Sequence, residues 1–337
     1  MRNPVFDIMK GIGIVAVIIG HCPIHEDLLK FIFIWHMPLF FFISGYFFRS
    51  RCNMDMLNNN MKNLVVPYYF TCFILLLLTV IRFFLVGKGN PLGVFFGAIM
   101  GSGSTNNPRI FGGHTFIGAI WFLLALAWCR IIYNILFIRI KLYTKRITVV
   151  VVLSLSASVL GRYLYVPTDF IQGVSALVFF LAGNMCKEYG WVNSCVKNYW
   201  LWGLVSLPFL YLGILMRPMG MVDNNYQIWP LNVMAALGGI SLVYIVSKVL
   251  NHYRLGGVLS RIGRISIIVL SLHLVEVTLD VVNSLCKFCL FTVDGDCFSL
   301  HQLYCNVINI ILHVVMPIIL ALLLAKNKII RNIYCLK

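Results

Sequence analysis

Charge is scarce in this sequence. Only 11% of its 337 residues are Asp, Glu, Lys or Arg, and just 11 of them are acidic. Soluble domains usually carry about 25% charged residues, so a chain this poor in charge does not read as a soluble globule. Glycine-rich phosphate loops of Walker or Rossmann spacing are missing, as is an HExxH pair, which removes the nucleotide and zinc chemistries those motifs carry. Segments of about ten residues with alternating polarity are also missing, which argues against a membrane β-barrel. Neither an inverted repeat nor a broken helix pair is visible, and a secondary transporter would be expected to show them. There is no low-complexity tail and no sign of a fused soluble domain. No small-residue cleavage site follows the first apolar run, so that run is expected to stay as a first helix.

What the chain has instead is apolar residues, 60% by composition, gathered in runs of about 20, the length that crosses a bilayer core as helix. Lipid offers no hydrogen bond to exposed backbone, so such runs must be helical. Ten are predicted, at about 5–24, 29–49, 65–86, 116–137, 147–164, 170–187, 198–216, 230–249, 265–286 and 304–325. The expected fold class is an all-α, polytopic integral membrane bundle of about ten transmembrane helices, one domain over residues 1–337. The stretch "PLGVFFGAIMG" is too short to span and suits a re-entrant or interfacial piece within the longest outer connection, about 87–115.

The net charge of +16 comes from 27 Lys and Arg. With the N-terminus taken as cytoplasmic, most of them fall on inner segments, and every inner segment holds at least two. This asymmetry places both termini in the cytoplasm. The basic excess is therefore mainly a topology signal, and no nucleic-acid partner is expected. Anionic lipid or an anionic cytosolic molecule could use the same charges. The 11 cysteines lie mostly inside apolar runs, where they act as small hydrophobes. Cys286, Cys289, Cys297 and Cys305 gather with His301 near a predicted outer loop. Their spacing fits no standard zinc motif, so no metal is expected there; free thiols or one disulfide are.

Polar groups inside spans are costly and mark function by default. The first run contains "KGIGIVAVIIGH", with Lys10 at one end and His21 at the other. Eleven residues make about three helical turns, so both would share a face, about 16.5 Å apart along the axis. The bland alternatives are that Lys10 snorkels and that His21 is interfacial. Asp7, one turn before Lys10, could simply pair with it. The second run, "IWHMPLFFFISGYFFRSR", carries His36, which could approach His21 or merely bond a neighbouring carbonyl. It ends in Arg49 and Arg51, stop signals that are also good anion ligands. The ninth run, "GRISIIVLSLHLVEVTLD", sets His273, Glu276 and Asp280 on one helical stripe. They either line a cavity or pair structurally, for instance with Arg82 or Arg162. Trp121 in "AIWFLLALAW" suits an interfacial belt or a cavity wall. The glycines of "KGIGI" and "LGGIS" suit close helix packing. An interior with imidazoles, carboxylates and cations at one end points to proton transfer to or from a polar substrate, with a proton-coupled transporter as the other reading.

Four segments together resemble the membrane acyltransferase-3 family: "FDIMKGIGIVAVIIGH", "HMPLFFFISGYFF", "IWFLLAL" and "LSRIGRISIIVLSLHL". The variety resembled is the sugar O-acetylases of the fucose-acetylase type. Many members have Arg where this chain has Lys10, which keeps the charge but loses the bidentate fork. The resemblance implies transfer of an acetyl group from cytoplasmic acetyl-CoA to a hydroxyl of an extracytoplasmic or lipid-linked glycan, in a bacterial cytoplasmic membrane, with no bound cofactor. It implies that Lys10, Arg49 and Arg51 hold the phosphates of the donor and that His21 is the general base. Glu276 or Asp280 would then orient an imidazole, and His36 would hold the acceptor or carry the acyl group.

Overall fold

The computed structural model describes residues 3–104, 117–190, 199–282 and 300–336, with side chains described throughout except at 199–202 and 300–306. All regular structure among these residues is helical. Each of the ten predicted runs contains helix among its described residues. Six helices are long and apolar enough to cross a bilayer, or eight if each of two bent pairs counts as one span. The remaining two runs form shorter helices of 16 and 17 residues.

Helix α1 (Pro4–Ile19) starts as its sequence dictates, with Asn3 accepting from the Val5 amide at 3.0 Å and Pro4 in the first turn. It stops at Gly20, well before residue 24, because "GHCP" cannot extend a helix across Pro23. Helix α2 (Glu26–Tyr46) returns beside it. Helix α3 (Asn53–Asn60) runs through a π-helical turn into α4 (Val66–Val86), a continuous 34-residue rod. The short apolar piece is α5 (Pro91–Met100), and a 3₁₀ turn at Gly118–Trp121 leads into α6 (Phe122–Arg139) and α7 (Tyr143–Leu160). Helices α8 (Phe170–Ser175) and α9 (Leu177–Glu188) form one bent pair, followed by α10 (Tyr199–Leu215) and α11 (Trp229–His252). The second bent pair is α12 (Gly257–Arg264) and α13 (Ser266–Leu279), and the chain ends in α14 (Leu300–Leu324) and α15 (Lys328–Ile333).

The two bends, 50° and 77°, correct the expectation that no broken pair exists. They turn on Ala176 (φ −78°, ψ −8°) and Ile265 (φ −111°, ψ 19°). Both residues sit near the bridge region of backbone space, and neither is the Pro or Gly that would announce a break.

Association inside lipid gains little from hydrophobicity and depends on close backbone approach at small residues. Two crossings show this. A Cβ on Gly11 would overlap the Leu259 carbonyl, and one on Gly263 would overlap the Asp7 carbonyl, so α1 and α12 meet backbone to backbone. A Cβ on Gly45 would overlap the Phe180 carbonyl, and one on Gly183 that of Phe42, so α2 and α9 do the same. The first crossing lays α12, with Arg261 and Arg264 in its last turn, beside the level of Lys10.

Candidate functional site

Lys10, Arg49 and Arg51 line one chamber of about 860 Å³ at the basic end of the bundle. That volume lies within the usual range for ligand pockets. Four further cations share its wall: Arg130 from α6, Arg261 and Arg264 from α12, and Arg331 from α15. No acidic side chain lines it among the described residues. A chamber whose charged lining residues are all cations suits a polyanion.

Local hydrogen bonds hold those cations in place. The buried Asn134 of α6 reads both backbone groups of Arg51, accepting from its amide at 3.1 Å and donating to its carbonyl at 3.0 Å. Lys187 donates to the Phe48 carbonyl at 2.9 Å. The turn after α2 is thereby fixed at both sides of Arg49. Helix α15 is tied beneath the chamber by three buried hydroxyls, Thr71 lying 2.8 Å from Ser271 and 3.1 Å from Tyr334.

The chamber leads inward. A void of about 10 Å³, roughly the room for one water, lies between Ile14, Val17, Met37 and Ala119. It shares Phe40, Phe122, Ser266 and Ile267 with the chamber. On its other side it shares Met37 and Ala119 with a third cavity of about 100 Å³. His21, His36 and Trp121 all line that third cavity, together with the Met219–Val222 turn. The three voids form a file from the basic end to two imidazoles, with an apolar pinch between.

His21 sits in the turn just past α1, exposed, rather than inside the span. Its Nδ1 lies 2.7 Å from the Val17 carbonyl oxygen. A carbonyl only accepts, so the neutral ring carries its proton on Nδ1 and offers Nε2 as an acceptor. His36 is buried and has the same arrangement, with Nδ1 2.8 Å from the Ile32 carbonyl. Each imidazole is thus held in the tautomer that a base requires at Nε2.

Behind His21 lies a buried polar file. The His273 ring is 5.6 Å from the His21 ring, centre to centre. His273 Nδ1 stands 3.8 Å from Glu276 Oε2, and that oxygen is 2.8 Å from Nδ1 of His313 on α14. The Val282 amide donates to Glu276 Oε1 at 3.3 Å.

Of the residues singled out by sequence, then, Lys10, Arg49 and Arg51 come together in the chamber. His21, His36 and Trp121 come together in the outer cavity, with His273 and Glu276 behind them. Asp7 and Asp280 line none of these three cavities, and Asp7 is buried in α1. Asp280 does not continue the stripe of His273 and Glu276, because α13 ends at Leu279 and Asp280 takes a left-handed conformation (φ 54°). Arg82 donates to the Thr278 carbonyl. Cys286, Cys289 and Cys297 lie outside the described residues, as do the side chains of His301 and Cys305.

Sequence reasoning missed His313, although a histidine inside an apolar run was a signal already applied to His21 and His36. It also took Arg130, Arg261, Arg264 and Arg331 mainly as a topology signal and singled none of them out for the site.

A protein-family model described as an acyltransferase domain matches residues 3–326. No curated protein and no solved structure matches the chain.

Proposed function

The chain belongs to the membrane acyltransferase-3 family, and we propose that it moves an acetyl group from acetyl-CoA to a sugar hydroxyl of an extracytoplasmic or lipid-linked glycan. The observation that carries this reading is the file of cavities, with seven cations and no acidic side chain among the described residues at one end and two Nε2-presenting imidazoles at the other. Coenzyme A is a polyanionic head on a long, thin, thiol-ended arm. The chamber suits the head, and the pinch between Met37, Phe40 and Phe122 suits the arm.

In this reading the basic end faces the cytoplasm, where acetyl-CoA is made, and both termini lie there. The chain crosses the cytoplasmic membrane of a bacterium about ten times, with α1 and α10 counted as spans. The thioester stops beside His21. The acceptor hydroxyl enters from the opposite side, where His21 is exposed and the Met219–Val222 turn forms one wall. His21 Nε2 removes the hydroxyl proton as the oxygen bonds to the acyl carbon. The carbon–sulfur bond then breaks, and the proton passes from Nε2 to the departing sulfur. Ester and free thiol leave, and the imidazole is neutral again. A positioned base of this kind contributes about 10²–10⁴-fold. Glu276, acting through His273, favours the positive charge that His21 bears between the two proton transfers. His36, on the same cavity, holds the acceptor or carries the acyl group.

The cavity of about 100 Å³ accepts a hydroxyl-bearing arm and a small acyl group, leaving the rest of a glycan outside. The competing reading, a proton-coupled transporter, draws on the two bent helix pairs. Against it, α12 ends in Arg261 and Arg264 on the wall of the basic chamber, so its break from α13 serves an anion site as readily as a transport path. The direct test compares glycan O-acetylation in the host with and without this protein, using labelled acetyl-CoA supplied to its membranes. Label entering glycan only when the protein is present supports the reading. Equal labelling in both rejects it.

A further inference from the structure

Acid–base chemistry at His21, supported by Glu276, leaves His313 without a part, yet among the described residues His313 makes the shortest contact with Glu276. The two come from different helices, α14 and α13. Both are buried, at 7% and 3% exposure, where a carboxylate is costly unless its oxygens are satisfied. One donor serves each oxygen. The Val282 amide reaches Oε1 at 3.3 Å, and His313 Nδ1 reaches Oε2 at 2.8 Å. Two donors on two oxygens fix the plane of a carboxylate, which otherwise turns freely about its last torsion. With that plane fixed, Oε2 also faces His273 Nδ1, 3.8 Å away, and that nitrogen has no hydrogen-bond partner among the described residues. The His273 ring in turn abuts His21.

We propose that His313 is a positioning residue for acyl transfer: it clamps Glu276 so that the carboxylate faces His273 and supports the charge that develops on His21. This rests on the transfer reading, since it gives His313 a role only if His21 is the base. His313 is not among the residues lining the chamber or the two cavities in line with it, so its effect belongs in turnover and not in donor binding.

The test measures kcat and KM for acetyl-CoA in the full-length protein in lipid, reading labelled acetyl delivered to host glycan. His313→Leu removes the donor to Oε2 and lowers kcat at least about tenfold, within the range a general base supplies, while KM for acetyl-CoA stays unchanged. His313→Asn, whose amide nitrogen falls near the Nδ1 position, restores most of the loss. Glu276→Gln combined with His313→Leu is no slower than Glu276→Gln alone, because members of one unit are not additive. A His313→Leu enzyme with wild-type kcat overturns the proposal, as does His313→Asn being as slow as His313→Leu, or losses that multiply in the double variant. If His313→Leu does not accumulate, the nitrogen-bound proton of His313 in ¹⁵N-labelled protein decides the matter. Its resonance shifts on Glu276→Gln if the clamp exists, and an unmoved resonance overturns it. His21→Ala separates the two levels. Full transfer by that variant defeats the transfer reading itself, whereas loss of transfer there with normal His313 variants defeats only the positioning role.

Discussion

In the transfer reading, Met37 is expected to limit the length of the acyl chain. It is buried at 7% exposure and lines both the pinch of about 10 Å³ and the imidazole cavity of about 100 Å³. An acyl group held at His21 with its thioester pointing down the file must fold its carbon chain against this side chain. Met37→Ala removes the three heavy atoms beyond Cβ, so a butyryl group, two carbons longer than acetyl, gains the room it lacks. One methylene in a closed pocket is worth about 1–3 kcal/mol of discrimination. For two methylenes the wild-type protein should therefore prefer acetyl-CoA to butyryl-CoA by at least about 30-fold in kcat/KM, and the variant should lose at least about tenfold of that preference. The change also costs about 2–5 kcal/mol of packing in a buried site, so the comparison must be a ratio between two donors on the same preparation. The assay is paired initial rates with labelled acetyl- and butyryl-CoA, together with a check of monodispersity after extraction. A variant that stays folded and keeps the wild-type ratio would refute the idea that donor and imidazoles meet through this passage.

Other consequences concern the chamber and the scaffold. Arg331→Ala removes one chamber cation and costs about 1 kcal/mol of donor binding; KM for acetyl-CoA rises roughly fivefold with kcat unchanged, and a matching loss in kcat would contradict the assignment. Asn134→Ala deletes both bonds to the Arg51 backbone, about 1 kcal/mol each. It should lower the melting temperature and raise donor KM together, and a variant with unaltered KM would show that the turn needs no clamp. Gly183→Val drives a side chain into the Phe42 carbonyl. Overpacking costs about 1–3 kcal/mol where neighbours can yield, and backbone cannot, so this protein should fail to accumulate as a single species on gel filtration.

Much of this was readable in the residues. Runs of apolar side chains announced an all-helical chain, with six to eight helices or bent pairs of membrane-crossing length against the ten expected, and "KGIGI" announced a tight crossing because only glycine lets Leu259 come so near α1. The rest was hidden for definable reasons. Ala176 and Ile265 bend their helices without a residue type that signals bending. Arg130, Arg261, Arg264 and Arg331 are far apart in the chain, and a topology signal uses the same residue type at the same end as an anion site, so only folding reveals that they face one another. The stripe through Asp280 failed because helical periodicity holds only while the helix lasts, and α13 stops one residue earlier. His313 was legible by the same rule that found His21, yet its meaning depends on α14 lying against α13, which no local pattern encodes.

The central claim is that the His21 imidazole takes the acceptor's proton. Transfer from saturating acetyl-CoA, measured for His21→Ala beside wild type in the same lipid, addresses it most directly. A fall in kcat of about 10²–10⁴-fold with KM for acetyl-CoA retained is the predicted result, and a folded His21→Ala protein transferring acetyl at the wild-type rate would contradict it.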